Sequence, residues 1–286
     1  QEQVMLAELE LAHDFIKAGL LDRAEELLLD VVQQPNQQKA KATELLVDVY
    51  QREQDWHKAL NVGTAANVSA SVDLAQRLSH FCCELAEQVL QQNEHQECLA
   101  YLKRAKRHNA DNPRVSFLRA QLSMQQDNYT DAKRHLLMMC QQDVQLVPEI
   151  IQPLQLCFTK LSDIEGWRSW LSQTMSQHPS TSLLLAQAHE IGQQNGSDAA
   201  AYVTEKLRQR PSLKGFNYLI DLHMQWASDN AKDSLQVLKG LTVALQNSKP
   251  QYRCRQCGFA GNSMHWQCPS CHQWDSTKPI YGLEGE

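Results

Sequence analysis

Gly19-Leu20-Leu21-Asp22-Arg23-Ala24 decides the fold, because the same plan returns six more times. It comes back as Asp55-Trp56-His57-Lys58-Ala59, His95-Gln96-Glu97-Cys98 and Asn128-Tyr129-Thr130-Asp131-Ala132, then as Glu165-Gly166-Trp167-Arg168, Ser197-Asp198-Ala199-Ala200 and Ala231-Lys232-Asp233-Ser234. The last residues of these stretches stand 35, 39, 34, 36, 32 and 34 apart, a mean step of 35. A fixed period of this length is the mark of a stacked repeat.

Each unit predicts a helix of about a dozen residues, a short polar turn, and a second helix that starts near the marked small residue. In the first unit Leu11, Ala12 and Phe15 are expected on one stripe, facing Ala24, Leu28 and Val31, and Pro35 is expected to end the second helix. Leu46, Val47 and Tyr50 face Ala59 in the second unit; Leu85, Ala86 and Val89 face Cys98, Leu102 and Ala105 in the third. Pro113 opens the fourth, where Ala120, Tyr129, Ala132 and Leu136 are the packing residues. Arg168 at the small-residue mark makes units five to seven divergent. Trp226 ends the next apolar stripe, and Leu235, Val237, Leu238, Leu241 and Leu245 predict a last long amphipathic helix. These units resemble the tetratricopeptide repeat, which implies an all-α superhelix of about seven hairpins over residues 1–248. One hairpin cannot bury both its stripes, so neighbours stack, and the first helices form a concave wall suited to peptides or proteins.

After Lys249-Pro250 the helical period stops. Cys254-Arg255-Gln256-Cys257-Gly258 and, with ten residues between Cys257 and Cys268, Cys268-Pro269-Ser270-Cys271 are two knuckles with two residues inside each pair. Four thiolates so spaced suit a tetrahedral ion, iron or zinc, with Cys254, Cys257, Cys268 and Cys271 as ligands. Disulfides are the alternative. The five other cysteines, Cys82, Cys83, Cys98, Cys140 and Cys157, are scattered through helical pattern, which fits a reducing compartment and buried free thiols. Residues 249–286 are thus a small metal-binding module. Trp266 and Trp274 give it more apolar area than it can bury alone, so it is expected to dock on the last repeats.

The 286 residues carry a net charge of −6, which argues against nucleic-acid binding. No run is apolar enough to span a membrane, and no secretory signal is present. Gln1 stands in mid-helical pattern without an initiator Met or a capping residue, so the chain is expected to be a fragment whose natural N-terminus lies upstream, together with any membrane anchor. No nucleophile elbow, phosphate loop or dinucleotide fingerprint is visible, and four thiolates leave no position for a reacting water, so no enzymatic activity is expected.

Repeats followed by Cys254-x-x-Cys257-Gly258-Phe259, Trp266, Cys268-Pro269-x-Cys271, Trp274 and Lys278-Pro279-Ile280-Tyr281-Gly282-Leu283 resemble the lipopolysaccharide assembly protein B family over essentially the whole chain. The resemblance implies an adaptor on the cytoplasmic side of the inner membrane, anchored by an N-terminal helix that this chain lacks. It would present the deacetylase that commits carbon to lipid A to a membrane AAA protease. It also implies a rubredoxin-like module on the four cysteines named above, although its pairs stand closer than in rubredoxin and His272 replaces the glycine that usually follows the second pair. A second class stays open: a redox- or metal-sensing regulator, in which iron oxidation or thiolate loss frees the module. Whether the chain forms a homodimer is also open.

Overall fold

The structure, a computed structural model, describes residues 2–33, 38–65, 71–283 and 285–286. Pro35, expected to end the second helix, lies outside them. The chain divides into two compact units, Gln1–Leu122 and Ser123–Glu286. Among the described residues there are fourteen α-helices, two for each predicted hairpin. They are α1 (Glu2–Ala18) and α2 (Leu21–Gln33), α3 (Lys39–Glu53) and α4 (Trp56–Ala65), α5 (Val72–Gln91) and α6 (His95–His108), and α7 (Pro113–Gln125) and α8 (Tyr129–Gln142). There follow α9 (Val147–Lys160) and α10 (Ile164–Gln177), α11 (Thr181–Gly192) and α12 (Gly196–Gln209), and α13 (Leu213–Met224) and α14 (Asp229–Asn247). The architecture is that of tetratricopeptide repeats with a small strand-and-turn module at the end. Among the described residues no helix is long and apolar enough to cross a membrane.

Five hairpin turns close in one way. Gly19, Gln54, Asn93, Asp127 and Ser162 take left-handed φ values between 55° and 77°, each two residues before its second helix. The next N–H then bonds the carbonyl five residues back: Leu20 to Phe15, Asp55 to Tyr50, Glu94 to Val89, Asn128 to Ser123 and Asp163 to Phe158, all at 2.8–3.0 Å. That is the Schellman closure, which satisfies carbonyls orphaned at the helix end. Glycine is the residue best suited to it, yet only Gly19 is one, so the turns are invisible to a search for glycine. Among the described residues the turns before α12 and α14 contain no left-handed residue, which is where the last two units depart from the rest.

Three expectations need correction. On α1 the buried stripe is Leu9, Ala12 and Ile16; Leu11 is exposed and Phe15 half-buried, because Leu11 lies about 200° round the helix from Leu9. In unit five the residue three places into the second helix is Trp167, not Arg168. The indole is buried, stacks on Trp170 at 5.5 Å and donates from Nε1 to Glu190 at 3.0 Å, so a large ring replaces the small residue. The equivalent places in units six and seven are buried Ala199 and exposed Lys232, one and two residues before the marks at Ala200 and Ser234. The expected apolar face of α14 is there but uncovered. No residue of α14 is buried, and Val237, Leu238, Leu241 and Leu245 are exposed, because no further hairpin stacks on that side within the described residues.

Most residues of the other stripes are buried as expected, whereas Val89 and Tyr129 are half-buried and Trp226 is exposed. Ala24, Leu28 and Val31, then Leu46, Val47, Tyr50 and Ala59, and then Leu85, Ala86, Cys98, Leu102 and Ala105 are all buried. Phe81 on the long α5 stacks on Trp56 at 5.4 Å. The 20 residues of α5, against 13 in α7, account for part of the 39-residue step. Cys82, Cys83, Cys98 and Cys157 are buried and Cys140 is partly buried, and none of them is in a disulfide. Burial pushes the thiols of Cys82 and Cys140 up to about 12, so they are inert.

In the first unit the base of α7 is held by polar groups. Asn112 Nδ2 donates to Ser79 Oγ at 2.9 Å, and both residues are buried. Arg114, its side chain 3% exposed, donates to Glu84 and Glu87 on α5 at 2.6 Å each.

Candidate metal centre

Three short strands carry the knuckles: β1 (Tyr252–Cys254), β2 (Ala260–Gly261) and β3 (Thr277–Pro279), antiparallel in the order β2-β1-β3. Cys254 ends β1, and its N–H bonds Phe259 O at 2.7 Å, closing the first knuckle across left-handed Gly258. The second knuckle copies it: Cys268 N–H bonds Gln273 O at 2.9 Å across His272, whose φ is +58°. Two loops of one geometry therefore face each other with four sulfurs between them.

All four Sγ atoms, of Cys254, Cys257, Cys268 and Cys271, lie within 4.8 Å of one another. Across the knuckles Cys254 and Cys271 are 3.7 Å apart and Cys257 and Cys268 are 3.6 Å apart. A disulfide needs about 2.05 Å, so none of these is bonded. A tetrahedron with metal–sulfur distances of about 2.3 Å has sulfur–sulfur edges of about 3.8 Å, so the donor set fits one ion. Cys254 and Cys268 are buried, Cys271 is partly buried and Cys257 is exposed.

The thiols do not titrate alike. Burial raises Cys254, but the Ser276 hydroxyl at 3.2 Å and the N–H groups of Cys257 and Gln256 outweigh it and bring the thiol to about 6. Cys257 is lowered, chiefly by the N–H of Phe259. Cys271 is pushed up to about 12 by burial and by the neighbouring sulfurs. Four negative charges at these separations repel one another; a divalent cation at their centre would remove that repulsion and take all four as thiolates.

The module sits on the repeats of its own unit. Tyr252 Oη donates to Glu149 on α9, and Lys278 Nζ pairs with Asp143 at 2.5 Å. Strand β3 packs on the 3-10 turn Val144–Leu146. Beyond β3 the chain forms a hook: Glu286 N–H bonds Ile280 O at 2.7 Å and Gly282 N–H bonds Glu286 O at 2.8 Å. A Cβ at Gly285 would stand 1.9 Å from Ile280 O, so the hook requires glycine there. Its tip reaches the first helices of units six and seven. The Glu286 carboxylate accepts from Ser182 N–H at 2.9 Å, Ser182 Oγ at 2.7 Å and Lys214 Nζ at 2.6 Å, and Leu213 N–H bonds Leu283 O at 2.9 Å. The four cysteines named from the sequence are brought together here, whereas this clamp was not foreseen. Its one signal was the polar Lys278 and Glu286 in a module with apolar area to hide.

The family described as rubredoxin metal binding domain matches residues 252–279. Lipopolysaccharide assembly protein B of Escherichia coli strain K12 is 32% identical over 286 residues, 99% of this chain and 73% of that relative. This chain belongs to the lipopolysaccharide assembly protein B family. The protein of that name from Haemophilus influenzae strain Rd is 30% identical over 99% of this chain and 72% of its own length. Among solved structures, a tetratricopeptide repeat protein from Parabacteroides merdae aligns over 84% of this chain and 99% of its own, at 16% identity and a TM-score of 0.42.

In this member of the lipopolysaccharide assembly protein B family the second knuckle carries a strained residue. A non-glycine residue in the left-handed region costs about 1 kcal/mol or more, and His272 bears that cost where Gly258 does not. His272→Gly is expected to slow metal loss to a chelator about fivefold, read from the release of bound metal to a chromogenic dye. Unchanged or faster release would show that the histidine ring contributes more than its backbone costs.

Proposed function

We propose that the chain is a non-enzymatic adaptor that limits lipopolysaccharide synthesis. It presents the deacetylase committing carbon to lipid A to a membrane AAA protease, at the cytoplasmic face of the inner membrane. Residues 1–248 are the binding repeats and residues 249–286 a rubredoxin-like module on one iron or zinc ion held by Cys254, Cys257, Cys268 and Cys271. The observation that carries the reading is that a four-sulfur donor set, closed to substrate, sits in a module bonded to three successive repeats. Such an arrangement supports a structural centre that fixes a binding surface. Membership of the family supplies the pathway.

The test is a reconstituted degradation assay. With purified deacetylase and membrane-embedded protease, adding this chain in its membrane-anchored form is expected to shorten the deacetylase half-life several-fold; an unchanged half-life would sink the reading. The exposure of Cys257 favours one alternative, a sensor whose ligand is within reach of solvent oxidants or competing metals. Red protein that bleaches reversibly with reductant would favour it, whereas colourless protein with one zinc per chain would favour the structural role.

A further inference from the structure

A cavity of about 1230 Å³ opens between α10, α11, α12 and the hook. It exceeds the roughly 300–1,000 Å³ of ordinary small-molecule pockets. Apolar walls come from Met175, Leu184 and Tyr202, with polar groups such as Gln187 and Ser176 between them. Its cations are Lys206 and Arg210, four residues apart at the end of α12. Among the described residues neither has an acidic partner: Lys206 Nζ lies over the Tyr202 ring at 5.8 Å, and Arg210 Nη1 donates to Pro179 O at 3.1 Å. The acid in the wall, Glu286, is already engaged by Ser182 and Lys214. The chain's own hook is thus held at this end of the repeats through a carboxylate and a backbone carbonyl.

We propose that this cavity receives an extended acidic segment of a partner protein, its apolar side chains against Met175 and Leu184 and its carboxylates on Lys206 and Arg210. The inference rests on the adaptor reading, to which it adds the chemistry of the partner. An anionic lipid headgroup would meet the same two cations, but the mixed walls and the volume of the cavity suit a peptide.

The probe is a short fluorescein-labelled peptide alternating glutamate with leucine, compared with a counterpart carrying glutamine at each glutamate. Fluorescence anisotropy with the full chain is expected to give binding at least about tenfold tighter for the glutamate peptide, weakening with salt. Lys206→Gln with Arg210→Gln, which keeps both stems on the surface, is expected to erase that preference while helicity stays the same. Equal binding of the two peptides, a preference that survives the double substitution, or binding only to anionic phosphatidylglycerol vesicles would each overturn the proposal. The degradation assay separates it from the adaptor reading: deacetylase turnover unaffected by the double substitution removes the cavity from the mechanism and leaves the adaptor standing.

Discussion

Replacing Cys268 by serine is expected to empty the metal site and free the C-terminal module while leaving the repeats folded. Cys268 is fully buried between the knuckles. A module of this size lacks the core to fold alone, since below about 40 residues burial rarely outweighs chain entropy. Metal binding of about 10–16 kcal/mol in small zinc modules is the term that replaces the core, and a missing thiolate removes much of it. The clamp follows, because Tyr252, Lys278 and Glu286 reach their partners only from a folded module. Bound metal should fall below about a tenth of the parent's. Limited proteolysis should cut near Lys249-Pro250 and spare what precedes it, and far-ultraviolet circular dichroism should scarcely change. A variant that retains a full equivalent of metal and the parent's protease resistance would show that three sulfurs, or no metal, suffice.

Arg114→Ala is expected to destabilise the first unit by about 3 kcal/mol. The guanidinium is almost completely buried and is kept charged by Glu84 and Glu87, whose attraction outweighs the burial that opposes it. Removing it leaves two carboxylates of like sign on one helix face. Glu84 and Glu87 are 26% and 41% exposed, so water relieves part of the loss and the figure stays at the low end of the range for broken buried pairs. Amide hydrogen exchange over α5 and the start of α7 should quicken about a hundredfold, with little change in residues 252–286. Combining Arg114→Met with Glu84→Gln and Glu87→Gln should recover most of the protection, since a well-packed uncharged set replaces a buried ion network at little cost. Exchange unaltered in Arg114→Ala would mean that the ion pairs contribute nothing net.

What the sequence disclosed was whatever is written in residue type. Small residues at a regular step placed the hairpins, and paired cysteines placed the sulfurs. Geometry that several residue types can adopt stayed hidden. Gln54, Asn93, Asp127 and Ser162 all turn left-handed where a reader looks for glycine. Trp167 takes the place of a small residue because Phe158 and Trp170 leave room for a ring, a fact of packing rather than of spacing. The exposed face of α14 follows from the absence of a neighbour among the described residues, which periodicity cannot report: Leu238 and Leu241 look the same in sequence whether covered or bare. The clamp joins residues 70 to 135 positions apart, beyond the reach of any local pattern.

That separation also sets an order of events. Five of the hairpins close through bonds five residues long, so they can form as each emerges from the ribosome. Tyr252 must find Glu149 across 103 positions and Lys278 must find Asp143 across 135, and neither can begin until the module itself has been made. A chain halted before the last strand would therefore carry formed hairpins but leave Asp143, Glu149 and Ser182 without their partners from the module.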